Sequence, residues 1–159
     1  MLVLGIDPGL GNTGYGIVKI QNNDFSLVDF GVIKTNTKDK LSYRLKVIFD
    51  GINDLISEYK PSIFSIEEIF YSKNVKSSLL LGHARGVSIA AASTNHLLVY
   101  EYSARKIKQS LTGNGNAHKD QVRFMVKNML KLNTAPNSSD ASDALAIALC
   151  YALQNKLEF

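Results

Sequence analysis

Cysteine is almost absent: Cys150 is the single thiol among 159 residues. An intrachain disulfide is therefore excluded, and so is a cysteine-built zinc site. Cys150 lies in an apolar stretch and is expected to pack as a small hydrophobe. Histidine is scarce too, and His83, His96 and His118 show no ligand spacing. Long hydrophobic runs are missing: the longest, Ala144 to Leu153, is too short to span a bilayer. Residues Met1 to Asp7 lack the basic region of a signal peptide. No membrane partner and a cytoplasmic location are expected. Without an internal repeat, a low-complexity tract or a boundary-like linker, residues 1–159 read as a single domain.

What is present is ordinary for a globular chain: 45% hydrophobic and 20% charged residues. The formal net charge of +4 is a mild hint of a polyanionic partner. Leu2 to Ile6 reads as a buried strand stopping at Asp7-Pro8-Gly9, with Gly9, Gly11, Gly14 and Gly16 permitting a tight reversal. Tyr15 to Ile20 and Phe25 to Lys34 read as the next two strands, linked by the Asn22-Asn23-Asp24 turn into an antiparallel meander. Leu41, Leu45, Ile48, Ile52, Leu55 and Ile56 recur at helical spacing, and that helix ends before Pro61.

Ile63 to Glu67 is a further buried strand, so strand, helix and strand form a crossover unit with parallel strands. Val75 to about His96 reads as a long helix containing Gly82 and Gly86. Its small residues suit close helix packing, either inside one protomer or between two. Leu97 to Tyr102 is a fifth strand, and Ser103 can cap a short helix to about Leu111. A Gly/Asn loop over 112–117 leads to an amphipathic helix marked by Val122, Met125, Val126, Met129 and Leu130. Ala141 to Gln154 forms the last helix. The order βββαβαβ followed by helices predicts an α/β fold, a five-stranded mixed sheet flanked by helices.

Four acidic residues stand out by position. Asp7 closes the first strand, Glu67 closes the fourth, and Asp140 and Asp143 open the last helix on one face. If the first and fourth strands are neighbours, Asp7 and Glu67 converge beyond their carboxyl ends, where ligands gather in such sheets. Converging carboxylates repel, and hard divalent cations with oxygen ligands, Mg²⁺ above all, resolve the repulsion. Two such ions, roughly 3.5–4 Å apart, can clamp the attacking and leaving oxygens of phosphodiester hydrolysis. Each residue also has a plainer reading. Asp7 suits a turn, Asp140 suits a helix cap, and Asp143 suits the helix dipole. Glu67 is neighboured by Glu68, and alternation alone does not say which of the two faces Asp7.

The motifs, in order, resemble those of RuvC resolvases. Gly5-Ile6-Asp7-Pro8-Gly9 with Thr13-Gly14-Tyr15-Gly16 is similar to the family's opening. Ile66-Glu67 with Phe70, Lys73 and Asn74 is similar to its second motif. Leu81-Gly82-His83-Ala84-Arg85-Gly86-Val87 and Glu101-Tyr102-Ser103-Ala104-Arg105 are similar to its middle, and Asp140-Ala141-Ser142-Asp143-Ala144-Leu145-Ala146 to its closing motif.

The resemblance implies a ribonuclease H-like fold, a homodimer and Holliday (four-way) DNA junction resolution by paired symmetric nicks. The products would carry 5′-phosphate and 3′-hydroxyl ends. It also implies partner proteins of branch migration. Asp7, Glu67, Asp140 and Asp143 match the family's catalytic acids and would ligate two Mg²⁺ ions, with Mn²⁺ as a substitute. Ligation by Asp143 would depend on the metal and substrate state. Phe70 would stack on an unpaired base near the crossover, with Tyr71 beside it.

For phosphate contacts, Lys119, Arg123, Lys127 and Lys131 recur every four residues and predict a basic ridge, across the Gly/Asn loop from Lys106 and Lys108. Lys108 and Lys119 match DNA-contacting positions in the family. Lys73, Lys76 and Arg85 are lesser candidates, and Arg85 can instead pair within the protein. Three alternatives stand beside this reading: a two-lobed actin-like or sugar-kinase-like phosphotransferase, a non-catalytic junction binder, and a related nuclease acting on RNA or another structure.

Overall fold

The computed structural model describes residues 1–69 and 72–155. Its elements run β1 (Leu2–Asp7), β2 (Asn12–Gln21), β3 (Asp24–Lys34), α1 (Leu41–Tyr59), β4 (Ile63–Glu67), α2 (Val75–Thr94), β5 (Leu98–Tyr102), α3 (Ala104–Thr112), α4 (Lys119–Met129) and α5 (Ser139–Gln154). The five strands form one sheet in the order β3-β2-β1-β4-β5. The first three are antiparallel, and β1, β4 and β5 are parallel. This is the ribonuclease H-like arrangement, a mixed sheet with helices on both faces.

Local chemistry explains the element ends. Asn22 and Asn23 take φ values of 49° and 64°, the left-handed pair that a tight two-residue hairpin requires. Lys60 ends α1 in a left-handed conformation, its N–H donating to the Ile56 carbonyl, and Pro61 follows. The Ser103 hydroxyl caps α3 by accepting from the Lys106 N–H, as expected. Helix α2 stops at Thr94, slightly before the expected end, because His96 turns left-handed at φ 59°.

Two corrections concern the region around the first and last motifs. Gly14 and Gly16 do not belong to the reversal after Asp7: β2 already begins at Asn12, and both glycines lie inside it. The cap of α5 is Ser138, whose hydroxyl accepts from the Ala141 N–H, so Asp140 sits in the first helical turn.

Strand alternation divides the core in two. Leu4, Ile6, Ile17, Phe64 and Ile66 pack with α1 and α2 on one face. Val3, Val18 and Ile63 pack with α3, α4 and α5 on the other. Helix α5 is buried along most of its length. It lies so close to the sheet that a Cβ on Gly5 would come within 2.2 Å of the Ala144 carbonyl oxygen, and one on Gly16 within 2.6 Å of the Leu145 side chain. On β4 the same face carries Ser65, whose buried hydroxyl donates to the Ile147 carbonyl at 3.0 Å. Small residues at positions 5, 14, 16 and 65 thus form a track on which the backbone of α5 rests.

Candidate active site

The α5 face of β1 carries Val3, Gly5 and Asp7, and that of β4 carries Ile63, Ser65 and Glu67. The two strands are hydrogen-bonded neighbours, paired from Val3–Ile63 to Ile6–Ile66. Parity therefore sends Asp7 and Glu67, each at a strand end, toward the helix that bears Asp140 and Asp143. Glu67 lines the resulting cleft, whereas Glu68 is exposed on the opposite parity, which resolves the doublet. The turn after Asp7 is braced by the buried Thr13 hydroxyl, which donates to the Gly9 carbonyl at 2.7 Å. Thr35 donates similarly to the Leu10 carbonyl and accepts from Arg44 Nε at 2.9 Å.

The cleft measures about 320 Å³ and is lined by all four acidic residues together with Lys108 and Lys119. The floor and remaining walls are apolar, from Ala104, Ile107, Val122, Ala146 and Ile147. Burial and crowding act in one direction. Asp7 is pushed up to about 8, first by burial and then by the charges of Asp143, Glu67 and Asp140, against the pull of Lys119. Glu67 is raised by burial and by Asp143, with Lys119 and Lys108 opposing. Asp143 is raised by burial, while Lys119 and Arg123 pull it down.

Such mutual repulsion marks a group of carboxylates lacking enough positive charge, and an all-oxygen donor set suits hard divalent ions. Among the described residues no three acidic, histidine or cysteine side chains stand placed to share a metal ion as they are. The four carboxylates instead line one open cleft. The donor set, its excess of negative charge and its access to solvent all fit Mg²⁺. Asp7, Glu67, Asp140 and Asp143 would hold it.

The basic candidates divide. Lys119, exposed at the start of α4, reaches Asp143 at 3.6 Å, and Lys108 lines the cleft from α3. Arg123 turns back: its Nη2 donates to the Ser139 hydroxyl at 2.8 Å, and its Nε is buried without a partner. Lys131 leaves the expected ridge, because α4 ends at Met129 and residue 131 is left-handed at φ 53°, its ammonium 3.5 Å from Asp24. Lys73, just before α2, and Lys76, in its first turn, are exposed and do not line the cleft. Phe70 and Tyr71 lie outside the described residues. Arg85 pairs within the protein, with Glu101 and the Glu67 carbonyl.

Sequence reasoning missed one contribution outright. Gly14 pairs directly with Asp7 across the β1–β2 ladder, and its missing side chain is what admits the first turn of α5 beside Asp7. The signal was there in the alternation of Gly14 and Gly16 along a strand, small residues repeating on one face.

The family model for crossover junction endodeoxyribonuclease RuvC matches residues 3–151 of this chain. The crossover junction endodeoxyribonuclease RuvC of Alkaliphilus metalliredigens is 45% identical over 152 residues, 96% of this chain and 93% of that protein. That of Legionella pneumophila (strain Philadelphia 1) is 48% identical over 151 residues, 95% and 86% of the two chains. The structure of Thermus thermophilus RuvC in complex with Holliday junction substrate superposes with a TM-score of 0.94 at 32% identity, over 98% of this chain and 95% of that one. On a family match over nearly its whole length, and on relatives this similar in sequence and in fold, the chain belongs to the RuvC family of crossover junction endodeoxyribonucleases.

Proposed function

We propose that this protein is a divalent-ion-dependent endonuclease that resolves four-way DNA junctions, acting in the cytoplasm in recombination and repair. The observation that carries the reading is the single cleft in which Asp7, Glu67, Asp140 and Asp143 meet, flanked by Lys108 and Lys119, in a chain of this family. Mg²⁺ ions held there, two per site and replaceable by Mn²⁺, would supply a water of lowered pKa and neutralise charge gathering on the phosphate and the leaving oxygen.

The protein's own part is placement. Lys108 and Lys119 stand at the cleft and draw the phosphate backbone toward the carboxylates. Lys73, Arg123 and Phe70 complete the proposed DNA contacts, Phe70 by stacking on an unpaired base, worth about 1–3 kcal/mol. No serine, threonine, tyrosine, cysteine or histidine lines the cleft among the described residues. The strand would be cut by direct hydrolysis, with water as the nucleophile and no covalent link between protein and DNA, leaving 5′-phosphate and 3′-hydroxyl ends.

Symmetric cutting requires two cleavage sites, and so a homodimer. Helix α2 offers a surface for it. Its buried small residues, Ala84, Ser88, Ala91 and Ala92, are spent on packing within the protomer, but Val75 and Leu79 on its outer side are 68% and 64% exposed. Branch-migration proteins are the proposed partners. Among the described residues no helix is long and apolar enough to cross a membrane.

Cleavage of a labelled synthetic four-way junction with Mg²⁺ tests the reading, beside linear duplex and RNA–DNA hybrid, with Asp7→Asn in parallel. Paired nicks in the junction alone, abolished by the substitution while binding persists, are the expected result. A folded dimer that binds junctions of several sequences and cuts none would leave a binding protein, and cutting of the hybrid would move it to another nuclease class.

A further inference from the structure

Arg85 lies on α2, outside the carboxylate cleft, and only 16% of its side chain is exposed. It makes two contacts on two different strands. Its Nε donates to the backbone carbonyl of Glu67 at 3.0 Å, and its Nη2 donates to the Glu101 carboxylate on β5. One turn earlier on the same helix, Gly82 faces the Ile69 side chain, which a Cβ would meet at an ordinary contact distance of 3.6 Å. Helix α2 therefore grips the chain just where β4 ends. We infer that Arg85, held by Glu101, is a positioning residue that fixes the Glu67 peptide and through it the Glu67 carboxylate; this rests on the function proposed above.

Glu67 needs such support. The β1–β4 register stops at Ile6–Ile66, one residue short of it. On the other side Glu67 is the last residue paired with β5, opposite Tyr102, and the next N–H, of Glu68, donates to the Tyr102 carbonyl. The glutamate thus stands at the end of its strand, paired with β5 but no longer with β1, in a cleft shared with Asp7 and Asp143. A guanidinium can hold a carbonyl and a carboxylate at once because its donors diverge in a rigid plane, which a lysine ammonium cannot reproduce.

The plainer alternative is a surface ion pair that merely stabilises the fold. Glu101 is 47% exposed, and a pair so open to water contributes little to stability. The contact that burial protects is the one to Glu67. Neither Arg85 nor Glu101 lines the cleft, so neither touches the reacting phosphate.

Arg85→Met, Arg85→Lys and Glu101→Gln separate these roles. Three quantities are read for each: single-turnover junction cleavage at saturating protein, junction affinity without cleavage in Ca²⁺, and Mn²⁺ affinity by calorimetry without DNA. Support for groups that orient a ligand typically changes affinity or activity by about tenfold or more, so Arg85→Met should lower both cleavage and Mn²⁺ affinity by about that factor while junction affinity stays within about twofold. Arg85→Lys should fail to restore either quantity, and Glu101→Gln should add no loss to Arg85→Met, since both act through one contact.

A lowered melting temperature with wild-type cleavage and Mn²⁺ affinity would overturn the proposal, leaving a structural pair. Junction affinity falling in step with cleavage would overturn it too, making Arg85 a DNA contact. Should the wild type cut no junction, the proposed function fails on its own, and the Mn²⁺ arm still decides the role of Arg85.

Discussion

A Cβ atom on Gly14 would lie 2.1 Å from the carbonyl oxygen of Asp140. The first turn of α5 therefore rests directly on the backbone of β2, opposite Asp7 in the neighbouring strand. Gly14→Ala must push that turn outward. Overpacking of this kind costs about 1–3 kcal/mol. A displacement of about 1 Å at the reacting groups can cost about 10²-fold in rate, so cleavage should suffer more than folding. Urea unfolding beside single-turnover cleavage measures both. Gly11→Ala is the matched control, because the nearest atom to its Cβ would be 4.0 Å away. Equal behaviour of the two variants would show that the close approach at Gly14 does not position Asp140.

That contact also marks where the sequence ceased to be legible. Helical periodicity placed α1 and α4, and the two strand ends placed Asp7 and Glu67, because both signals are local. The choice between Glu67 and Glu68 needed the register of β1 against β4, a pairing between residues about sixty positions apart that no local pattern carries. The glycines of β2 look like turn formers in sequence for the same reason: a glycine freed for backbone bending and one kept bare for a neighbouring helix look alike until the helix is in place. The basic ridge stops short of Lys131 because a four-residue spacing persists in sequence past the point where the helix ends. The order of the motifs, by contrast, points at once to all four acidic residues that line the cleft.

Lys119 and Lys131 illustrate the difference in function. Lys119 stands at the cleft, and its 3.6 Å approach to Asp143 leaves its side chain 70% exposed, free to meet a phosphate. Lys119→Met should weaken junction binding and reduce the slope of log affinity against log salt by about 0.9, the share of one phosphate contact on duplex DNA. Lys131→Met, outside the cleft lining and 3.5 Å from Asp24 in the wild type, should leave the slope unchanged. Titration of a fluorescent junction at several salt concentrations gives both slopes. Identical slopes for Lys119→Met and the wild type would remove Lys119 from the DNA interface.

Arg123 is expected to behave differently from Lys119 although both lie on α4. Its bond to Ser139 ties α4 to the start of α5, next to Asp140. Arg123→Ala should lower unfolding stability by about 1 kcal/mol, the usual worth of one such hydrogen bond. The loss of junction affinity should be smaller than for Lys119→Ala. Denaturation and binding isotherms on the two variants decide the matter; a loss of affinity at least as large as that of Lys119→Ala, without loss of stability, would make DNA contact, and not the Ser139 bond, the main role of Arg123.

Asp7 carries the clearest conflict between stability and activity. Its carboxyl is raised from the ordinary 3.8 to about 8 by burial and by three neighbouring acids. Between those two values the folded protein holds a proton that the unfolded chain has already lost. Stability of the ion-free protein must then fall as pH rises from about 4 to about 8. At 1.36 kcal/mol per pKa unit, the penalty reaches up to about 4 kcal/mol at pH 7. Asp7→Asn removes the titrating group while keeping its size, so in EDTA it should melt several degrees above the wild type at pH 8. The gap should narrow toward pH 5, where the wild-type carboxyl is protonated. Mg²⁺ should raise the melting temperature of the wild type at pH 8 and do little for the variant, since an ion that binds only the folded state stabilises it in proportion to its occupancy. Melting curves across that pH range, with EDTA and with Mg²⁺, test all three statements. A wild-type melting temperature that stays level or rises with pH in EDTA would mean that Asp7 is already ionised at neutral pH, and that the cleft tolerates its four charges without a cation.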